Sequence, residues 1–256
     1  SRKKESFIEP TGEFNNIKHV VAVVSGKGGV GKSMVTSLLA SKMQKEGYNV
    51  GILDADITGP SIPKCFGIHQ MVEASSECIF PRETESGIKI ISSNLLLQNE
   101  TDPIIWRGPV IAGVIQQFWS DVQWGDIDTM FVDCPPGTGD VPLTVFQSLP
   151  VDGIVIVTTP QDLVSMIVEK AVNMAKMMNI PILGIVENYA YIECPDCKKK
   201  IYMYGQSKVQ QKAIDNNIKH YISLPLNPEV ATLVDQGKVY MANTSYFDEL
   251  VNEIMN

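Results

Sequence analysis

The chain has 256 residues, 44% of them hydrophobic, with a formal net charge of −8 and a sequence pI near 4.9. This is enough material for the core of one α/β domain, and the acidic balance argues against a broad surface for a nucleic-acid backbone. No apolar run approaches the ~18 residues that cross a bilayer and no signal peptide opens the chain, so a soluble, cytoplasmic protein without membrane or nucleic-acid partners is expected. Because the sequence starts at Ser1 rather than methionine, upstream residues are expected to be missing.

In chain order, residues 1–16 read as an N-terminal extension, partly flexible, and 17–256 as a single domain. Val20, Val21, Ala22, Val23 and Val24 form an unbroken apolar run, the pattern of a strand buried on both faces of a parallel sheet. Val35, Leu38, Leu39 and Met43 then recur at helical spacing. Between strand and helix lies Gly26-Lys27-Gly28-Gly29-Val30-Gly31-Lys32-Ser33, a phosphate-binding loop with a second lysine at Lys27. Its glycines let successive N–H groups point inward at phosphate oxygens, and the helix N-terminus adds a fixed positive field. Lys32 is expected to reach the β- and γ-phosphates of ATP and the Ser33 hydroxyl to hold Mg²⁺.

Further short buried strands are expected at 50–53, 88–91, 129–132, 154–157, 182–186 and 221–223. Amphipathic helices fall between them, one carrying Val110, Ile111, Val114, Ile115 and Phe118, another Val164, Ile167, Val168, Ala171, Met174, Ala175 and Met178. Repeated strand-helix units predict an α/β fold of the P-loop NTPase kind: a mostly parallel twisted sheet, helices on both faces, ligand loops at the strands' carboxyl ends. The polar stretch 73–87 reads as an exposed connection.

Two acidic loops complete a nucleotide site. The first, Asp54-Ala55-Asp56-Ile57-Thr58-Gly59-Pro60-Ser61, sets two carboxylates at alternating positions past a strand end, one to organise Mg²⁺ and one to orient the attacking water. The second, Asp133-Cys134-Pro135-Pro136-Gly137-Thr138-Gly139-Asp140, follows an apolar strand. Asp133 is in the Walker B arrangement, and Pro135, Pro136 and Gly137 form a switch whose Gly137 N–H is expected to meet the γ-phosphate.

Five cysteines, an odd number, do not suggest a disulfide framework. Cys65, Cys78 and Cys134 read as small hydrophobes. Cys194 and Cys197 form a CxxC pair, stiffened by Pro195 and followed by three lysines and the apolar run Ile201, Tyr202, Met203 and Tyr204, which reads as a hairpin arm.

These motifs, with Glu187-Asn188, Leu224-Pro225-Leu226-Asn227-Pro228 and Asp235-Gln236-Gly237, resemble in order and combination the Mrp/ApbC-type iron-sulfur cluster carrier ATPases. That family belongs to the deviant-Walker, MinD/ParA-like class. The resemblance implies that Gly26, Lys27, Gly28, Gly29, Val30, Gly31, Lys32, Ser33 and Met34, with Asn188 and Pro225, bind nucleotide, Asn188 through adenine. It further implies that Lys27 reaches across a homodimer to the partner's ATP, that Asp56 positions the hydrolytic water, and that Asp54 and Asp133 join Ser33 at Mg²⁺. One departure is local: Tyr189 and Ala190 stand where the family commonly has methionine and serine.

The CxxC loop, within 188–205, offers two thiolates where a tetrahedral metal or a [4Fe-4S] cluster needs four, and a twofold homodimer would supply the rest. In the family this is the transferable cluster's site, with recipient apoproteins and cluster donors as partners. Spacing alone leaves a structural zinc or a redox dithiol open. The competing function is a ParA/MinD-like spatial-organisation ATPase with a structural zinc; against it stand the acidic pI and the acids at Asp248, Glu249 and Glu253, where a membrane-binding helix would carry lysines. ATP-driven electron transfer, as in the iron protein of nitrogenase, does not match a close CxxC pair late in the chain.

Overall fold

The computed structural model describes residues 10–56, 59, 61–74, 78–96, 108–137, 139–160, 164–205 and 207–256. The expected loop residues Ile57, Thr58, Pro60 and Thr138 lie outside the described residues, as do 1–9 of the extension and the side chains of Asp140, Val110, Ile111, Val164 and Ile167.

The elements in chain order are β1 (Asn16–Ser25), α1 (Lys32–Lys45), β2 (Val50–Asp54), α2 (Ile62–Cys65), β3 (Glu73–Ala74), β4 (Ile79–Phe80), β5 (Arg82–Glu83), β6 (Lys89–Ser92), α3 (Gly108–Ser120) and β7 (Asp126–Asp133). They continue with α4 (Asp140–Ser148), β8 (Gly153–Thr158), α5 (Val164–Met178), β9 (Ile182–Glu193), β10 (Lys200–Ile201), α6 (Val209–Asp215), β11 (His220–Pro225), α7 (Pro228–Asp235) and α8 (Asp248–Met255). The sheet runs β10-β9-β8-β1-β7-β2-β6-β5, with β11 also paired to β9. Every pairing from β11 and β9 across to β6 is parallel; β5 and β10 add antiparallel edges.

Period-two geometry divides each strand between two cores. In β1, Val20, Ala22 and Val24 face one core with Phe118, Trp119 and Val168, while Val21 and Val23 face the other with Leu39, Phe131 and Phe247. Helices therefore cover both faces, as the continuous apolar strands require.

The stretch 73–87 is not a plain exposed connection. β3 pairs with β4, and β5 joins the main sheet beside β6, with Thr84 buried and its hydroxyl accepting the Ile88 N–H at 2.9 Å. Two-residue strands carry too little alternation to be read from sequence. The extension's described end is tied down: Asn15 donates to the Val122 carbonyl at 2.8 Å and accepts from Trp124 N–H at 2.7 Å.

Behind the nucleotide loops, α2 packs on the end of α7 through two glycines. Gly67 (φ +68°) and Gly237 (φ +69°) approach so closely that a Cβ on Gly237 would lie 2.4 Å from the Gly67 Cα. Gly237→Ala meets both a positive φ and a backbone clash, and is expected to lower stability by at least ~1 kcal/mol in urea unfolding. Unchanged stability would mean that α2 is free to move away from α7.

Candidate functional site

β1 delivers the phosphate-binding loop to the carboxyl edge of the sheet, between β7 and β8. Gly31 takes the left-handed N-cap position of α1 (φ 79°), with no side chain capping the helix and no acid in its first turn. Uncapped N–H groups at a helix start form an anion site. The loop borders a cavity of about 320 Å³ that also touches Lys27, Ser33, Asp56, Ser61, Cys65 and Pro136.

Three carboxylates converge beneath it. Asp133, at the end of β7, is fully buried; it accepts from Ser33 Oγ at 2.6 Å and Thr36 Oγ1 at 2.9 Å, and its Oδ1 lies 2.8 Å from Lys32 Nζ. Lys32 is also 3.7 Å from Asp56 Oδ2. Burial works against the Lys32 charge, yet Asp133, with Asp56 and Asp54, holds its pKa above the ordinary lysine value. Asp54 pairs in register with Asp133 and is sealed from solvent; its oxygens accept the Asp56 N–H at 3.1 Å and the Ser92 hydroxyl at 2.9 Å. Burial, then the neighbouring Asp133, pushes the Asp54 carboxyl well above the carboxylate range, against the pull of Lys32 and Ser92.

The switch residues lie beside this cluster. Pro135 is buried and Pro136 exposed, and the Gly137 N–H donates to the Ser25 carbonyl at 2.8 Å, bonding the switch to the end of β1. Cys134 is fully buried and burial raises its thiol pKa, which makes it core. Cys65, buried behind the loop, is likewise pushed up to about 11.

A second cavity, of about 390 Å³, adjoins the loop through Met34. Asn188 and Pro225 line it with Leu38, Tyr189, Pro228 and Tyr246. The sequence reading placed Asn188 after a strand ending at 186, whereas β9 continues to Glu193 and absorbs an irregularity at Tyr189 (φ 57°). The Asn188 amide donates to the Val30 carbonyl at 3.0 Å, and a Cβ on Gly31 would lie 2.3 Å from its Nδ2. Asn188 thus supports the phosphate loop from below as well as lining the cavity.

The expected hairpin arm is present. Glu193 and Ile192 of β9 pair with Lys200 and Ile201 of β10, the Cys194 N–H donates to the Lys199 carbonyl at 3.0 Å, and the Lys198 N–H returns to the Cys194 carbonyl at 3.0 Å. Lys198 takes the left-handed conformation (φ 60°) that tightens the turn. The backbone amides of Cys197 and Asp196, and the neighbouring Cys197 thiol, lower the Cys194 thiol pKa from its ordinary value. Cys197 is exposed. Among the described residues no group of three or more His, Cys, Asp or Glu is disposed to hold a metal. Lys200 lies over the Tyr191 ring, 4.4 Å from its centroid, and the Tyr191 and Tyr202 rings stack obliquely at 5.8 Å.

Comparison with known proteins agrees with this geometry. The ParA-type family model described as NUBPL iron-transfer P-loop NTPase matches residues 16–256. The chain belongs to this family. An iron-sulfur cluster carrier protein of Clostridium perfringens is 48% identical over 233 residues, spanning 88% of this chain and 82% of that one. Another from Methanocaldococcus jannaschii is 44% identical, over 88% and 78%. A nucleotide-binding protein from Archaeoglobus fulgidus, solved in complex with ADP, superposes with a TM-score of 0.82 at 44% identity, over 91% of each chain. The Aquifex aeolicus MinD cell division protein shares the fold at 16% identity, with a TM-score of 0.63 over 93% and 94%. No helix among the described residues is long and apolar enough to cross a membrane.

The expected site residues Lys27, Lys32, Ser33, Asp54, Asp56 and Asp133 meet around one loop, and Cys194 and Cys197 sit together on the arm. Sequence reasoning missed Ser92 and Thr36; hydroxyls spread along the chain carry no local pattern.

A raised folded-state pKa at Asp54 means that the folded protein holds this proton more tightly than the unfolded chain. Stability from this residue is present in acid and falls as pH rises past the unfolded carboxylate value. Asp54→Asn removes that loss, so nucleotide-free protein carrying it is expected to melt higher than wild type at pH 7 to 8, the difference shrinking toward pH 4. A lower melting temperature at neutral pH would show that Asp54 is charged and well paired.

Proposed function

We propose that the protein is an ATP-hydrolysing iron-sulfur cluster carrier that holds a [4Fe-4S] cluster between two copies of the chain and passes it to apoproteins. The observation that carries this reading is the pair of free thiols, Cys194 and Cys197, on one tight hairpin turn with Cys197 exposed, in a chain with a phosphate-binding loop of the iron-transfer family. Two thiolates from each subunit complete the four that a bridging cluster needs, and an isologous interface brings the same pair to the axis from both sides. The cluster is cargo; the protein's task is to hold and release it.

In this reading ATP lies along the loop, its phosphates on the N-terminus of α1 and its adenine in the cavity lined by Asn188 and Pro225. Lys32 exchanges Asp133 for the β- and γ-phosphates. Ser33 and Asp133 offer the hydroxyl and carboxylate oxygens that suit Mg²⁺, which would neutralise phosphate charge when bound. Asp56 faces the cavity and orients the attacking water. The water oxygen bonds to the γ-phosphorus while the bond from that phosphorus to the β–γ bridging oxygen breaks, giving ADP, inorganic phosphate and a proton released to solvent. Asp54, enclosed behind these groups, anchors the Asp56 backbone. Gly137 gives up the Ser25 carbonyl to meet the γ-phosphate, so hydrolysis resets the switch. Lys27 serves the partner's ATP, which makes closure of the dimer depend on nucleotide.

Anaerobic reconstitution is expected to give about four iron and four sulfide per dimer, lost in Cys194→Ser and in Cys197→Ser with ATP binding retained. Stoichiometric zinc, or a full cluster in either single variant, would sink the four-thiolate bridge. Lys27→Ala is expected to lower ATP turnover by about a hundredfold or more without altering the fold, and Asp56→Ala to bind Mg·ATP but stall. Wild-type turnover in Lys27→Ala would remove the role in trans.

A further inference from the structure

Glu187 is a carboxylate with no exposed surface in the middle of β9, flanked in register by Thr158 of β8 and Ser223 of β11. A buried carboxylate needs strong donors, and Glu187 has two: the Ser207 hydroxyl bonds one oxygen and the Tyr221 hydroxyl the other. Ser207 is where the chain returns from the CxxC arm, and its Oγ accepts the Val209 N–H at 3.0 Å at the start of α6. The outgoing root of the arm is β9 itself. The Glu187–Ser207 bond therefore joins both roots of the segment that carries Cys194 and Cys197.

The next residue, Asn188, makes the bond to Val30 in the phosphate loop, and Gly31 rests against both Asn188 and Tyr189. Adjacent strand residues address opposite faces, so Glu187 and Asn188 contact the thiol arm's base and the nucleotide loop from one backbone unit. We propose that Glu187 is a positioning residue that couples nucleotide state to the CxxC arm, with its bond to Ser207 as the coupling contact and its bond to Tyr221 as a fixed anchor. The inference rests on the carrier reading for what the arm holds. A displacement of Val30 and Gly31 when phosphate binds shifts β9 at Asn188, and the Glu187–Ser207 bond carries it to the arm's second root, changing the presentation of the two thiols.

The test reads thiol presentation in the full, metal-free, reduced chain: the iodoacetamide alkylation rates of Cys194 and Cys197, mapped by mass spectrometry with Mg·ATP and with Mg·ADP. Wild type is expected to differ between the nucleotides by about fivefold or more. Ser207→Ala removes a single hydroxyl and is expected to bring that ratio to about one, with ATP affinity within twofold of wild type. Tyr221→Phe, which spares the arm contact, is expected to keep the wild-type ratio. A wild-type ratio of one, a preserved ratio in Ser207→Ala, or equal loss in both variants would overturn the coupling role. Iron and sulfide content of reconstituted wild type, measured in parallel, tests the carrier reading separately: a protein that takes up no cluster yet shows the nucleotide-dependent ratio would fail that reading and keep the coupling.

Discussion

Asp133 is a carboxylate without solvent contact, and the nucleotide site is built around satisfying it. A lone buried carboxylate costs several kcal/mol, so its position demands donors from several directions. They come from Lys32, Ser33 and Thr36, three residues of the first turn and a half of α1. The same bonds that neutralise Asp133 therefore fix the register of α1 against β7 and aim the helix start at the phosphate cavity. In the proposed reading Lys32 and Ser33 also serve the nucleotide, so ligand binding replaces the donors of a buried acid rather than recruiting idle side chains. Asp54, one strand further over, intensifies the constraint: with Asp133 alongside in register, two carboxylates share one lysine, and one of them keeps its proton more readily.

The central strands were legible because both their faces are buried, which leaves nothing polar in Val20 to Val24 or Ile154 to Val157 to confuse the pattern. The phosphate loop and the CxxC pair were legible because their chemistry lies in contiguous residues. β9 was not. Its polar residues Glu187 and Asn188 look like a strand ending in a loop, and only bonds to Ser207, Tyr221 and Val30, all distant in sequence, allow the strand to continue through them. The edge strand β5 was hidden for a different reason, being too short to show a period. Of the candidate site, which residues gather round the loop was readable and how they bond was not: nothing local in the sequence indicates that Ser92 binds Asp54 or that the Asn188 amide turns to the Val30 carbonyl.

The arm is placed where a parallel sheet has an edge to spare. β10 pairs antiparallel with the far end of β9, beyond the reach of β8, so the turn bearing Cys194 and Cys197 projects past the sheet. Ile201, Tyr202, Met203 and Tyr204 are each about half or more exposed. Exposed aromatic and sulfur-bearing side chains beside two free thiols are what an association surface needs, and the lysines at 198–200 give this corner a charge opposite to that of the acidic chain as a whole.

β9 consequently carries a contact to the phosphate loop and a contact to the root of the thiol arm at consecutive residues. The energies are modest and sufficient. A hydrogen bond to a charged group contributes about 1.5–3 kcal/mol, and a factor of ten in the equilibrium between two arm positions needs only ~1.4 kcal/mol. A single bond such as Glu187–Ser207, made in one nucleotide state and weakened in the other, can therefore account for a tenfold change in thiol presentation without any rearrangement of the core. The sheet on either side, with Val186, Ile185 and Leu224 buried, is too closely packed to absorb a displacement at Asn188 by local yielding. In the proposed coupling, motion that enters β9 at the phosphate loop runs along the strand toward the end that pairs with β10 and carries the cysteines.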